Sequence, residues 1–124
     1  SEMCIRDRII HSKMIDTLTQ YGGNIDAIFF CPHNPTDLCE CRKPRPGMIN
    51  EIQARFKVNL TDVKLIGDSH RDLLAADKAG ATPWLVKTGN GEKTIEAHEN
   101  GTQILPPYTE IFLDLSEAVK TIKL

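Results

Sequence analysis

Three thiols and an imidazole fall within the eleven residues Cys31, Pro32, His33, Asn34, Pro35, Thr36, Asp37, Leu38, Cys39, Glu40 and Cys41. They form two arms. Cys31 and His33 make one pair, Cys39 and Cys41 the other, and the five residues between the arms are enough for a hairpin. Thiolate and imidazole are the preferred ligands of zinc, and a closed structural site takes four of them. Two alternatives compete: unrelated loop cysteines beside a surface histidine, or a disulfide between the arms. Scattered cysteines rarely fall into two spaced pairs. A disulfide needs an oxidising compartment, and no secretory leader is visible at the N-terminus. Cys31, His33, Cys39 and Cys41 are therefore read as zinc ligands, in a reducing, cytoplasmic setting.

The same stretch runs directly into Arg42 and Lys43. Lysine offers a compact positive charge for a carboxylate or a transferring phosphoryl group, and arginine can grip phosphate through two nitrogens at once. A second cluster follows at Gly67-Asp68-Ser69-His70-Arg71-Asp72, just after an apolar run. Glycine there lets the chain turn and present Asp68 as a hard oxygen ligand suited to Mg²⁺. Asp72 would sit in the first turn of a helix, complementing its dipole and orienting a neighbour. The plainer readings are a capping Asp68 and a solvated Arg42–Lys43 pair.

Three look-alikes fail on detail. His70-Arg71-Asp72-Leu73 has the form of a kinase catalytic loop, but position 77 is Asp and no Asp-Phe-Gly follows. Gly89 to Thr94 has the flavour of a phosphate loop, but no glycine immediately precedes Lys93. Phe112 to Ser116 could end a strand in a nucleophilic aspartate, but it lacks a second aspartate and reads better as the cap of a last helix.

The elements that must carry these groups alternate. Residues 9–20 have helical apolar spacing at Ile10, Met14, Ile15 and Leu18, ended by Gly22 and Gly23. Ile25 to Phe30 reads as a strand delivering Cys31 to its tip. Met48 to Phe56 is a helix with Pro46 at its start. Strands are expected at Val63–Ile66, Trp84–Val86 and Gln103–Leu105. Helices are expected at Asp72–Ala79, closed by Gly80, at Glu92–Glu99 and at Leu113–Ile122, with Asp114 or Ser116 as cap. Such alternation predicts a doubly wound parallel α/β sheet of the Rossmann type, with ligands at the carboxyl ends of its strands. Cys31 and Asp68 should then share one rim.

The chain has 124 residues, 40% hydrophobic and 26% charged, with a net charge of −2. That composition suits one soluble domain or part of one. It argues against a nucleic-acid surface built on bulk charge, and no apolar run is long enough for a membrane span. Residues 1–8 fit no amphipathic period, and Met3 to Arg8 can be encoded by a transposon-end sequencing adapter. They are expected to be non-native, leaving 9–124 as the domain.

Taken together, CPHNP, CECRKPRPGM, GDSHRDLLAA and PWLVKTGNGEKT resemble the haloacid-dehalogenase (HAD) superfamily of phosphatases, over essentially residues 9–124. The branch with this zinc loop includes phosphatases of sugar bisphosphates and of histidinol phosphate, and the Pro46-Gly47-Met48 and Thr88–Thr94 segments are more similar to the former. The resemblance implies a HAD-like fold with structural zinc and catalytic Mg²⁺. It puts the conserved active-site lysine on Lys43, substrate phosphate on Arg42, and the magnesium-binding acidic motif on Asp68 with Asp72 in support. It implies a phosphorylated sugar as substrate, a monomer, and no nucleic-acid or membrane partner. The family's nucleophile and acid/base are two aspartates in an Asp-x-Asp motif on a first strand, and a Thr or Ser on the next binds phosphate. This chain has none of these, so it resembles the C-terminal part of a partial sheet and is expected to be inactive alone. A zinc-stabilised binding module is the reading from a different class.

Overall fold

The computed structural model describes residues 2–122, with side chains from Asp7 onward except Pro35. Ser1, within the stretch expected to be non-native, lies outside the described residues. Helix α1 spans Glu2–Gln20, α2 Gly47–Phe56, α3 His70–Ala79, α4 Gly91–Glu99 and α5 Leu115–Lys120. Strands β1 (Lys64–Gly67), β2 (Thr82–Val86) and β3 (Glu110–Phe112) form one parallel sheet in the order β1-β2-β3. Ile66 pairs with Trp84, and Trp84 with Glu110, which sets the register.

Alternation along the strands fills two layers. Leu65 packs against Ile49, Leu60, Ala75, Ala76 and Ala81, so α2 and α3 cover one face. Leu85, on the same face, meets Leu73, Leu105 and Ile95. The opposite face carries Ile66, Trp84, Val86 and Phe112 against Ala118 of α5. Helices on both faces of a parallel sheet are the doubly wound arrangement expected from the sequence. Among the described residues no helix is long and apolar enough to cross a membrane.

Local signals explain most boundaries. Ser69 and Asp72 form a reciprocal capping box at the start of α3, and Gly80 closes it with φ 90°. Asp114 caps α5 by accepting from the Glu117 amide at 2.8 Å. That cap is why α5 begins at Leu115 and not at Leu113.

Three expectations are corrected. Ile25 to Phe30 is not a strand: β1 hydrogen-bonds only to β2, and the 25–30 run has no ladder partner among the described residues. An apolar run is a strand only where a neighbour takes its backbone groups. Gln103–Leu105 is not a strand either, because side chains take its backbone groups. The Leu105 amide donates to His98 Nδ1 at 3.0 Å, and the Ile104 carbonyl lies 2.8 Å from His70 Nε2. The third strand lies instead at Glu110–Phe112, just ahead of the last helix. Finally, α1 extends back to Glu2 through residues that show no amphipathic period.

Candidate functional site

The hairpin between Cys31 and Cys41 folds as its prolines and aspartate suggest. Pro35–Asp37 form one 3-10 turn, in which Asp37 Oδ2 accepts from the Asn34 amide at 2.8 Å. Leu38 then takes a left-handed conformation at φ 50° and turns the chain back. The result brings one donor atom from each of Cys31, His33, Cys39 and Cys41 within 4.8 Å of one another. The Cys31 sulfur lies 3.4 Å from that of Cys39 and 3.3 Å from that of Cys41, and His33 Nδ1 lies 3.2 Å from Cys41. These sulfurs are far from the roughly 2.05 Å of a disulfide. They are close to the edge of a zinc tetrahedron, about 3.8 Å for Zn–S bonds near 2.3 Å.

The thiols of the cluster perturb one another. The Cys31 thiol is drawn below its ordinary pKa, chiefly by the His33 backbone amide, against burial and with help from Cys41, Cys39 and Arg42. Cys41 is pushed up to about 12, first by donating to Cys31, then by burial and by Cys39. The Cys41 thiol gives up its proton less easily because it donates to Cys31. Three sulfurs and an imidazole at these separations are a donor set that fits zinc.

The metal loop leads straight to the rim of the sheet. The Gly47 amide donates to the Glu40 carbonyl at 3.0 Å, and Arg45 Nη1 donates to the carbonyls of Leu38 and Cys39 at 2.8 and 2.7 Å. These bonds tie the Arg42–Gly47 turn to the cysteine arm. Lys43, on that turn, reaches across to form an ion pair with Asp72 Oδ1. Asp72 is only 6% exposed. Its Oδ2 accepts from the Asp68 and Ser69 amides, both at 3.2 Å, and from Ser69 Oγ at 2.8 Å. Burial pushes this carboxyl up, but Lys43 and Ser69 outweigh it, so its pKa lies below the usual carboxylate value. Gly67 makes the approach possible: a Cβ there would lie 2.5 Å from Asp72 Cβ.

Asp68 stands at the end of β1. Its Oδ2 accepts from the Asn90 amide at 2.9 Å, and its carbonyl from Thr94 Oγ1 at 2.7 Å. No protein donor reaches Oδ1 among the described residues, so one carboxylate oxygen is left for a ligand. Asp68, Asp72 and Lys43 line one cleft of about 550 Å³ with Thr88, Gly89 and apolar residues of α2 and β1. Arg42 turns to an adjoining cleft that Lys43 also lines, and its Nη1 donates to the His33 carbonyl at 3.4 Å. The structure places Lys43, Asp68 and Asp72 on one cleft, with Asp72 as the partner of Lys43, gathers Cys31, His33, Cys39 and Cys41 into a second group, and turns Arg42 to the adjoining cleft. Sequence reasoning missed Ser69, Arg45, Asn90 and Thr94. The serine was legible as half of a capping box. The others act across the fold, and no local pattern marks them.

This parallel α/β sheet thus carries a basic group and two acids on one strand-end rim. A model of the HAD-hydrolase-like family matches residues 40–117, and the chain belongs to that family. It is 50% identical over 113 residues to the D-glycero-beta-D-manno-heptose-1,7-bisphosphate 7-phosphatase of Bordetella bronchiseptica, covering 91% of this chain and 60% of that protein. It is 45% identical to the enzyme of the same name from Neisseria meningitidis, covering 89% and 59%. The crystal structure of D,D-heptose 1,7-bisphosphate phosphatase from B. bronchiseptica, complexed with magnesium and phosphate, superposes with a TM-score of 0.84 at 49% identity, over 91% of this chain and 60% of that one. The enzyme from Burkholderia thailandensis gives 0.68 at 34% identity. The chain thus spans about 60% of the length of the first of these relatives.

Proposed function

We propose that this chain carries the metal-binding and phosphate-binding part of a Mg²⁺-dependent phosphatase. Its proposed substrate is D,D-heptose 1,7-bisphosphate, a precursor of lipopolysaccharide heptose. The observation that carries the reading is the convergence of Lys43, Asp72 and Asp68 on one cleft at the end of β1. The names of the relatives, and the magnesium and phosphate bound to one of them, support it.

Each residue has a physical task. Lys43 presents its ammonium to phosphoryl oxygens, and the buried Asp72 keeps that ammonium in place. Arg42 contacts a substrate phosphate. Asp68 offers its free carboxylate oxygen to Mg²⁺, and the bound ion would neutralise charge building on the phosphoryl group. Cys31, His33, Cys39 and Cys41 hold zinc with no open position, so that site shapes the Arg42–Lys43 turn and does no chemistry. Among these 124 residues no two aspartates stand two apart. The attacking carboxylate and its acid/base partner are therefore proposed to come from a strand outside this sequence, and this chain alone to be inactive. Residues 1–8 are proposed to be non-native. A monomer in a reducing, cytoplasmic compartment, free of nucleic-acid and membrane partners, completes the proposal.

The test is phosphate release by a polypeptide that joins this sequence to an Asp-x-Asp strand. Heptose 1,7-bisphosphate and histidinol phosphate are supplied in turn, with Mg²⁺. Turnover of the heptose ester is expected. Turnover of histidinol phosphate alone would reassign the substrate. No turnover of either, with zinc bound, would favour the binding module.

A further inference from the structure

The Thr88–Thr94 segment has no part in the chemistry proposed above, yet its groups converge on Asp68. The Asn90 amide holds Asp68 Oδ2 at 2.9 Å, and the Thr94 hydroxyl holds the Asp68 carbonyl at 2.7 Å. Thr94 is 6% exposed, and its hydroxyl also lies 3.1 Å from the Asn90 carbonyl. It therefore ties the strand end to the turn that carries the Asn90 amide. Gly89 closes the other side. Its φ is +60°, and a Cβ there would stand 2.3 Å from Asp68 Oδ2. The turn is shaped around this carboxylate.

The terminal torsion of an aspartate is soft, so a lone Asp68 would sample many orientations. A backbone amide on Oδ2 selects one, and a pinned carbonyl stops the strand end from twisting away. We infer that Thr94, through the Asn90 turn, is a positioning residue that fixes Asp68 so that its second oxygen faces the cleft. The functional consequence rests on the reading of Asp68 as the magnesium-facing residue. The brace itself stands on the hydrogen bonds and the glycine contact. Partners that orient a metal ligand in this way typically change metal affinity tenfold or more when removed.

The experiment follows the Asn90 amide by ¹⁵N NMR in the polypeptide that joins this sequence to an Asp-x-Asp strand, first by hydrogen exchange and then against Mg²⁺ alone. In the parent and in Thr94→Ser, the amide is expected to be protected from exchange and to respond to Mg²⁺. Thr94→Val removes the hydroxyl, and Gly89→Ala crowds the carboxylate from the opposite side. Both are expected to lose most of the protection at Asn90 and to weaken Mg²⁺ binding about tenfold. Zinc content and the β1 and β2 amides serve as the check that the fold persists. A merely structural threonine would lower stability and leave Mg²⁺ affinity and the Asn90 amide's protection relative to its neighbours intact. An Asn90 amide that exchanges freely in the parent, or is equally protected in both variants, overturns the brace. A parent protected at Asn90 that ignores Mg²⁺, with the protection lost in both variants, upholds the brace and overturns the magnesium reading.

Discussion

Asp68 and Asp72 are four residues apart, and their surroundings give them different work. Asp68 keeps an oxygen free at the cleft, so losing its charge should remove the magnesium site and leave the zinc cluster alone. In an active polypeptide carrying this sequence, Asp68→Asn is expected to cut Mg²⁺-dependent turnover at least a hundredfold with zinc content unchanged. Turnover within a few-fold of the parent would contradict that role. Asp72 is buried and saturated with donors, and its pKa lies below the usual value. A depressed folded-state pKa means stability that is fully present at neutral pH and lost as pH falls through that pKa. Asp72→Asn should therefore be less stable than the parent at pH 7 and converge with it in acid, measured by denaturant unfolding at both. Lys43 is 44% exposed, so the pair is partly screened. Lys43→Met is expected to cost about 1–2 kcal/mol in the same assay.

The metal loop and the helix caps are tested at the level of elements. Cys39→Ser leaves three ligands and is expected to lose most of the one zinc per chain, with a fall in melting temperature. Full zinc by elemental analysis and unchanged melting would refute the site. Asp114→Ala removes the α5 cap and is expected to cost about 1 kcal/mol without touching zinc. The convergence of Cys31, His33, Cys39 and Cys41 was legible, because these donors, the turn residues and their spacing lie in one contiguous stretch. So were β1, α3 and β2, where apolar runs meet a capping box and a C-terminal glycine. The strands at 25–30 and 103–105 were misread because strand formation depends on a partner that no local window contains. Glu110–Phe112 was overlooked for the converse reason. Three residues carry no period, and only the edge of β2 makes them a strand. Long-range bonds such as Asn90 to Asp68 were invisible for the same reason.

At the scale of the whole molecule, β1 has one free side among the described residues, and α1 exposes an apolar stripe. Ile10, Met14, Ile15 and Leu18 are each at least 38% exposed along one helix. The chain alone is expected to bind a hydrophobic dye strongly and to release no phosphate from heptose bisphosphate with Mg²⁺. Turnover comparable to an intact enzyme would place the nucleophile within these residues. The metal loop differs in kind from the sheet. Its sulfur pairs are eight and ten residues apart in sequence, whereas each strand pairing waits for an intervening helix. Closing a loop of ten residues takes on the order of 10–100 ns, far faster than assembling a parallel sheet. An ion bound there would be captured while β1 is still being made. The turn bearing Lys43 would then be fixed before the strands that follow it, which would assemble against a landmark already in place.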